Sequence, residues 1–596
     1  MVATPAAPPA APPLVLVPAQ IARAALVATM IAPTLDHALE SGLVLARKAT
    51  PLPLDAAAVR EMAFSQLGIP PELAAQLELG APVSGAVVGF GHDEPVRAAF
   101  SFTLKPGTDA ARFLGAVGTL VERRGPVWII ESRSSGRGWF LPVGNAVVFA
   151  DSEAGLVQAG NLALEARRTP SKDDVTVVIH PDGLARAMGT DVKTASERLL
   201  AEIESRSAAT GNKLGAEGRE QLRDLLGYAP DLATVDIALD LNPEQGVTLL
   251  ARLHARPATK LEAASRVVAA APIDPLLIGK DDAGIVVSSG YGERALAQLR
   301  RQRARLPAAS DKGANKGAVG AGNLLDALLG GLTGTLSMVG RLAPELSAEM
   351  VYPIKDPASA TKLQAALQAT DRAAVTALVS AETTGSGVAT KVLRVQKESA
   401  GKLRAVHWTV SFTVPGDTLG VMKKMVGKGG LDVFGAVVSG PAGDKLVFTM
   451  GPGAKARLVA MGSAKAPAKT PAKTASADAK TDAKKDTARA KGAMTGGLTE
   501  ALALQGERTL YYYVDLRQGL AVAKALGSGG ADPRLQMVLG LLKAPVPILG
   551  GATGDASGRQ LTLDLTVPPS CIAGIGGLFG AMMGAGAGGP PAGTMR

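Results

Sequence analysis

The stretch LYYYVDLRQGLAVAKALG (510–527) shows the kind of unit from which the chain is built. An apolar run is followed by a short polar break and by an Ala/Leu-rich run with helical spacing, which predicts a strand, a tight turn and an amphipathic helix. Three of the six tyrosines stand together in the strand, although aromatic residues make up only 3% of the sequence. Because side chains alternate along a strand, Tyr512 is expected on one face and Tyr511 and Tyr513 on the other.

The same strand–turn–helix pattern recurs along the chain. Its other starting points are Leu14, Ala146, Val175, Gly284 and Lys445. Segments match in the same order in two halves of the chain: Leu14 with Gly284, Ala98 with Ala348, Ala146 with Lys445, and Val175 with Leu510. Each half then ends in a hairpin pattern, with turns at 242–246 and 554–558. Several matches in one order indicate a tandem duplication.

The fold class predicted from this pattern is α+β, with two homologous domains. Each domain is expected to be a twisted, mostly antiparallel sheet with helices packed on one face. The first domain would span 14–266 and the second 268–570. The second is expected to carry extra strands near 371–411 and a disordered Lys/Ala-rich insert at 463–493.

The match between the halves also bears on the three tyrosines. It places 511–513 where the first half has 176–178, which favours the packing of a central strand over a ligand-stacking platform. The longest helix signal of the first half follows His180. Six apolar residues there fall close to one helical stripe: Leu184, Met188, Val192, Leu199, Leu200 and Ile203.

The net charge of the 596-residue chain is +10, and half of it lies in one low-complexity segment. Residues 463–491 hold seven Lys and one Arg against three Asp, a net charge of +5. The rest of the chain therefore does not indicate a basic nucleic-acid-binding face. The candidates for contact with a polyanion or an anionic membrane surface are Lys465, Lys469, Lys473, Lys480, Lys484 and Lys485. A solvated loop insertion is the simpler reading of the same segment.

Both ends of the chain have unusual composition. Residues 1–13 are rich in Pro and Ala, which predicts a disordered N-terminus. Residues 571–596 form a Gly-rich tail with small residues at every fourth position, namely Gly576, Gly580, Gly584 and Gly588. A disordered tail is the favoured interpretation, and a helix that packs closely in a membrane or an oligomer, which this spacing also suits, is the alternative. As written, the N-terminus lacks the features of an export signal, which predicts the cytoplasm; a misassigned start codon would allow export to the envelope or periplasm.

The sequence contains no motif that assigns a catalytic residue, a cofactor or a metal ligand. The Gly-Lys of GVMKKMVGKGG (420–430) lacks the spacing of a phosphate-binding loop, and no G-x-S-x-G motif is present. The five histidines lack the paired spacing of metal ligands. An enzyme would need a site assembled from distant residues, for which His180, Asp182 and Asp515 are the candidates.

The Pro/Ala-rich start followed by LVLVPAQIARA (14–24), with two copies of a sheet-and-helix domain, resembles uncharacterised duplicated proteins of bacterial cell envelopes. The resemblance implies an envelope location and no catalytic residues. The favoured function is a non-enzymatic binding or scaffold protein whose concave apolar surface takes a lipid, a peptide or a partner protein. The alternatives are a hydrolase-like enzyme with a dispersed site and a nucleic-acid-associated protein that acts through its Lys-rich insert.

Overall fold

The structure of the chain is a computed structural model. The described residues are 14–49, 55, 57, 74–91, 93–132, 136–209, 216–266, 273–277, 283–290, 292–306, 316–341, 345–383, 389–413, 429–441, 443–463, 509–515, 517–518, 547–555, 557–569 and 571–572. They form an α+β fold with antiparallel strands, which confirms the predicted fold class.

Two compact units divide the chain. The described parts of 14–209, 221–266 and 555–572 form the first unit, and those of 216–220 and 273–554 form the second. The residues that follow Asp555 return to the first unit because strand β20 (Gln560–Val567) pairs antiparallel with strand β10 (Gly246–Ala255). Periodicity in a sequence identifies a strand but not its partner, so this return was not part of the predicted division at 266–268.

The strands of the first unit are β1 (Leu26–Ala32), β2 (Val83–Val88), β3 (Arg97–Thr103), β4 (Gly118–Arg124), β5 (Val127–Ser132), β6 (Gly136–Val143), β7 (Ala146–Ala150), β8 (Val175–Ile179), β9 (Leu232–Asn242), β10 and β20. They are hydrogen-bonded in the order β4-β5-β6-β7-β3-β2-β1-β8-β9-β10-β20.

The strands of the second unit are β11 (Ile285–Ser289), β12 (Leu336–Arg341), β13 (Ser347–Pro353), β14 (Ala389–Ala400), β15 (Leu403–Thr413), β16 (Leu431–Gly440), β17 (Gly443–Met450), β18 (Leu510–Asp515) and β19 (Pro547–Gly554). Their order, β14-β15-β16-β17-β13-β12-β11-β18-β19, repeats the order of β4 to β9 in the first unit. The hairpin of β14 and β15 takes the place of the shorter hairpin of β4 and β5, so the strands expected as an addition near 371–411 have counterparts in the first unit.

The helices are α1 (Ala19–Ala22), α2 (Leu35–Ala49), α3 (Ala110–Val117), α4 (Glu153–Ala166), α5 (Pro181–Ala187), α6 (Val192–Ala209), α7 (Ala216–Leu226), α8 (Lys260–Ser265), α9 (Gly292–Arg305), α10 (Lys316–Gly331), α11 (Pro357–Ala369), α12 (Arg372–Thr383) and α13 (Ala454–Ser463). Side-chain caps start several of them. Ser152 accepts a hydrogen bond from Gly155 N at 3.0 Å, and Asp356 accepts one from Ser359 N at 2.7 Å.

Helices pack on both faces of each sheet, which differs from the expectation of one covered face. In the first unit, Leu156 of α4 packs with Val148 on one face, while Phe113 of α3 packs with Val147 on the other. The same holds in the second unit, where α13 and α11 cover opposite faces. The physical reason is visible in strands such as AVVFA (146–150), where successive residues are apolar and both faces need cover.

The tyrosine-rich strand occupies the predicted position. Tyr511 of β18 pairs with Ser288 of β11. Thr176 of β8, its predicted counterpart in the first unit, pairs with Ile31 of β1. Tyr511 and Tyr513 are completely buried against α13 and its neighbours, while Tyr512 is half-buried on the other face. The alternation predicted from the sequence is therefore confirmed.

Two local expectations were wrong. The first strand does not begin at Leu14: residues 14–17 belong to no strand and lie beside α4, where Val17 N donates to Val157 O at 2.8 Å, and β1 begins only at Leu26. The apolar stripe after His180 is divided between α5 and α6. Gly189, with φ of 68°, separates these helices, and the predicted stripe is partly exposed, as Leu199 at 47% illustrates.

Candidate functional site

One face of the first unit's sheet is apolar across its last three strands. The residues that share this face are Val235, Ile237, Leu239 and Leu241 of β9, Val247, Leu249, Ala251 and Leu253 of β10, and Leu561, Leu563, Leu565 and Val567 of β20. Residues directly opposite one another on paired strands project to the same side, so the register alone assembles this surface. We refer to it as the apolar face.

A single transverse line of residues continues the apolar face over seven strands. In order from β3 to β20, its members are Phe100, Gly85, Met30, Val177, Ile237, Ala251 and Leu563. We refer to this line as the apolar row. Six inter-strand spacings of about 4.8 Å make the row about 29 Å long.

Large side chains of the apolar row are open to solvent. Phe100 is 38% exposed, Ile237 39% and Leu563 40%, and Leu249 in the adjacent line is 45% exposed. Single exposed apolar residues are common on protein surfaces, whereas several that share one face of a sheet form a candidate interaction surface. Exposing this hydrocarbon costs about 25 cal/mol for each Å² of apolar area, which an apolar ligand would recover by covering it.

The charged residues of the same strands project to the opposite face. There Arg252 donates two hydrogen bonds to Asp173, at 2.7 and 2.8 Å, and His254 Nε2 lies 2.9 Å from Asp236 Oδ2. Burial raises the pKa of the Asp240 carboxyl, and the charges of neighbouring aspartates act in the same direction. Strict alternation of polar and apolar residues thus keeps these charges away from the apolar face.

Helix α2 covers one end of the apolar face. A β-carbon built on Gly42 would lie 3.7 Å from Leu241 Cδ1, so the helix contacts the apolar face at the last residues of β9. Towards the other end of the strand, Ile237 remains open. The exposed part of the apolar face therefore begins beside α2 and extends along the apolar row.

The second unit has a corresponding line, formed by Met350, Met338, Val287 and Tyr512. All four side chains are half-buried, so none of them is as open as Ile237 or Leu563. Gly550 lies opposite Tyr512 and leaves room for its ring. The exposed apolar side chain of Ile237 thus has no counterpart in the second unit, where Gly550 holds the corresponding place.

The most elaborate polar cluster of the second unit surrounds His407. Its Nδ1 lies 3.0 Å from Glu398 Oε1 and its Nε2 lies 2.9 Å from Asp432 Oδ1, and the ring stacks on Phe434 with 4.2 Å between centroids. Lys455 donates to the other oxygen of Glu398 at 2.7 Å. Every ring nitrogen is already engaged and the ring is covered, so this cluster is arranged to hold strands β14, β15 and β16 together.

The three residues proposed for a dispersed enzyme site are not assembled within one unit. His180 and Asp182 belong to the first unit, where Asp182 forms an ion pair with Arg256 at 2.7 Å. Asp515 belongs to the second unit, is 1% exposed, and accepts a hydrogen bond from Arg517 N at 3.0 Å. Asp515 is thus engaged in a local turn of its own unit.

Other predicted sites lie outside the described residues. These are the six lysines Lys465, Lys469, Lys473, Lys480, Lys484 and Lys485, and the tail glycines Gly576, Gly580 and Gly584. Over the described ranges, no helix is both long and apolar enough to cross a membrane. Within the same ranges, no three His, Cys, Asp or Glu residues are arranged to hold a metal ion.

The apolar face could be recognised in the sequence as the alternation of ATVDIALDLNPEQGVTLLARLHA (233–255), but its openness could not. Openness depends on which helices cover the sheet, and that is decided by tertiary packing.

Comparison with protein-family models, with curated proteins and with solved structures finds no significant match to this chain.

Proposed function

We propose that the chain is a non-enzymatic binding protein that takes an apolar ligand on the apolar face of its first unit. The observation that carries this proposal is the apolar row, to which seven strands contribute no charged residue and in which the side chains of Phe100, Ile237 and Leu563 are exposed. A surface of this kind has no group that could act in acid–base or nucleophilic chemistry. It suits binding alone.

The hydrocarbon chain of a lipid is the ligand class that the surface favours. The side chains of the row offer neither hydrogen-bond donors nor acceptors, and the strand backbones beneath them are paired in the sheet. A peptide laid across them would leave its own backbone groups unsatisfied, at a cost of about 1–3 kcal/mol for each buried group. An acyl chain has no such groups, and the row, about 29 Å long at ordinary strand spacing, can accommodate it in extended form.

Binding of a fluorescent fatty acid, 11-(dansylamino)undecanoate, tests the proposal. Ile237→Glu places a charge in the centre of the row and is expected to weaken binding at least tenfold. Val143→Glu is the matched control, since Val143 is also a strand residue, is 44% exposed and projects to the opposite face. Displacement by unlabelled fatty acids is expected to improve with chain length up to the length of the row.

Several outcomes would contradict the proposal. Equal binding by the wild type and Ile237→Glu would remove the apolar row as the site. A protein that binds no fatty acid but forms a dimer dissociated by Ile237→Glu would have a second copy of the chain, not a lipid, as the occupant. An apolar peptide that displaces the probe more strongly than any fatty acid would likewise overturn the lipid assignment.

A location in the cell envelope and an origin by tandem duplication belong to the same proposal. Support for the duplication comes from the strand order that the two units share. Superposition of β1–β9 on β11–β19 in an experimental structure tests it, and different strand paths would contradict it. Fractionation of the native cells tests the location, and recovery in the cytosol would count against the envelope.

A further inference from the structure

A second feature of the first unit lies on the other face of the sheet, away from the apolar row. It is a cavity of about 360 Å³, formed where β1 and β8 meet the end of α4. Its walls include the apolar side chains of Leu26 and Leu162 and the polar side chains of Thr29 and His180. Six of its nine lining residues are polar or charged and three are apolar, a mixture that suits a small molecule with both polar and apolar groups.

The imidazole of His180 is unengaged. Its backbone N–H donates to Val27 O at 2.9 Å, but its ring makes no hydrogen bond to any residue in the described part of the chain. Burial lowers the pKa of His180 below its ordinary value, although the nearby carboxylates of Asp236 and Asp182 act in the opposite direction. The ring is therefore neutral at pH 7 and can accept or donate a hydrogen bond.

The cavity also holds two arginines in different situations. Arg23 is neutralised by Glu165, with its Nη2 2.7 Å from Glu165 Oε2. Arg168 lies at the rim and forms no ion pair or side-chain hydrogen bond with the residues that the structure describes. One guanidinium group and one imidazole are thus left to interact with a bound molecule.

We propose that this cavity binds a small carboxylic acid with an apolar body. The carboxylate would pair with the Arg168 guanidinium, whose planar donors match a carboxylate. The hydrocarbon part would rest on Leu26 and Leu162, and a polar group would hydrogen-bond to the His180 ring. The site is independent of the apolar row, because Thr29 and Met30 are neighbours in β1 and project to opposite faces.

Proton NMR of the histidine rings, with benzoate as the probe, tests this inference in the full chain. Benzoate is expected to shift one imidazole resonance to saturation, and that resonance should be absent in His180→Gln. Arg168→Gln should weaken binding about tenfold or more, as expected for a lost charge-assisted pair. Arg186→Gln is the control, since Arg186 is an exposed arginine of the same unit outside the cavity.

The pH dependence adds a second readout. The charged groups around the ring are Asp236, Asp182, Glu165, Arg23 and Arg168, and a bound anion adds to the negative ones. Benzoate should therefore raise the pKa of His180 and bind more tightly as the pH falls through that pKa. Inorganic phosphate binding as tightly as benzoate, or binding that Arg168→Gln leaves unchanged, would overturn the assignment, as would the absence of any shift. Ile237→Glu should bind benzoate normally, which separates this site from the apolar row.

Discussion

The ring of Phe100 lies against Gly85 on the neighbouring strand, where a β-carbon built on the glycine would come within 2.7 Å of Phe100 Cδ1. Gly85 thus forms the floor of the apolar row beneath an aromatic ring that is itself 38% exposed. The missing side chain makes room for the ring beside β2, and the row continues through Gly85 to Met30.

Gly85→Ala should displace the Phe100 ring from the row. Overpacking of this kind lowers the free energy of unfolding by about 1–3 kcal/mol, and we also expect weaker binding of the dansyl fatty acid. Gly115→Ala is the control: it lies within helix α3 and its β-carbon would meet open space, so it should raise stability by about 0.5–1 kcal/mol. Chemical denaturation measures the stability of both variants, and titration with the dansyl fatty acid measures their binding. Unchanged stability and binding in Gly85→Ala would contradict the role of the close contact between Gly85 and Phe100.

The sequence predicts some elements of this structure correctly and misses others. Alternation placed Tyr511 and Tyr513 on one face and Tyr512 on the other, because a strand has a fixed period of two. The start at Leu14 was wrong because an apolar run followed by proline looks like a strand, whereas here it packs along a helix. The return of β20 to the first unit and the ion pairs at Arg252 and His407 depend on contacts between distant segments, which local patterns do not contain.

Tyr513→Ala should be much more costly than Tyr512→Ala. Tyr513 is fully buried in the core of the second unit, so the truncation leaves a cavity and should lower the free energy of unfolding by about 3–5 kcal/mol. Tyr512 is half-buried on the opposite face and should lose about half as much or less. Urea denaturation of the two variants measures the difference, and equal losses would show that the alternation does not decide their packing.

The stability of the second unit should depend on pH through Glu398. The hydrogen bond from Lys455, with a further contribution from His407, lowers the pKa of the Glu398 carboxyl below its ordinary value of 4.5. Its stabilising effect is therefore fully present above about pH 4.5 and is lost as the pH falls through the lower pKa of the folded state. Glu398→Gln should lower stability at pH 7 but not at strongly acidic pH, where the wild type has lost the same interactions.

Denaturation curves recorded at several pH values measure the Glu398 effect. Glu197→Gln serves as the control for the loss of an exposed carboxylate, since Glu197 is exposed on helix α6. A constant difference between the wild type and Glu398→Gln at every pH would mean that packing, and not the ionised carboxylate, is what the substitution removes.

Lys445 and Asp274 form a buried ion pair, and removal of Lys445 alone should lower the stability of the protein. Lys445 Nζ lies 2.7 Å from Asp274 Oδ1, with the side chains 10% and 8% exposed. Lys445→Met leaves the Asp274 carboxylate buried without a cation, which should cost about 3–5 kcal/mol in the free energy of unfolding. Adding Asp274→Asn to Lys445→Met should recover part of the loss, because the neutral amide can still accept the hydrogen bond from Leu276 N, which the carboxylate accepts at 3.0 Å. Arg206→Met removes an exposed partner of Glu202 and should change stability by less than about 0.5 kcal/mol. If the single and double variants at 445 and 274 lose equal stability, the cost lies in the packing of the lysine stem and not in the unpaired charge.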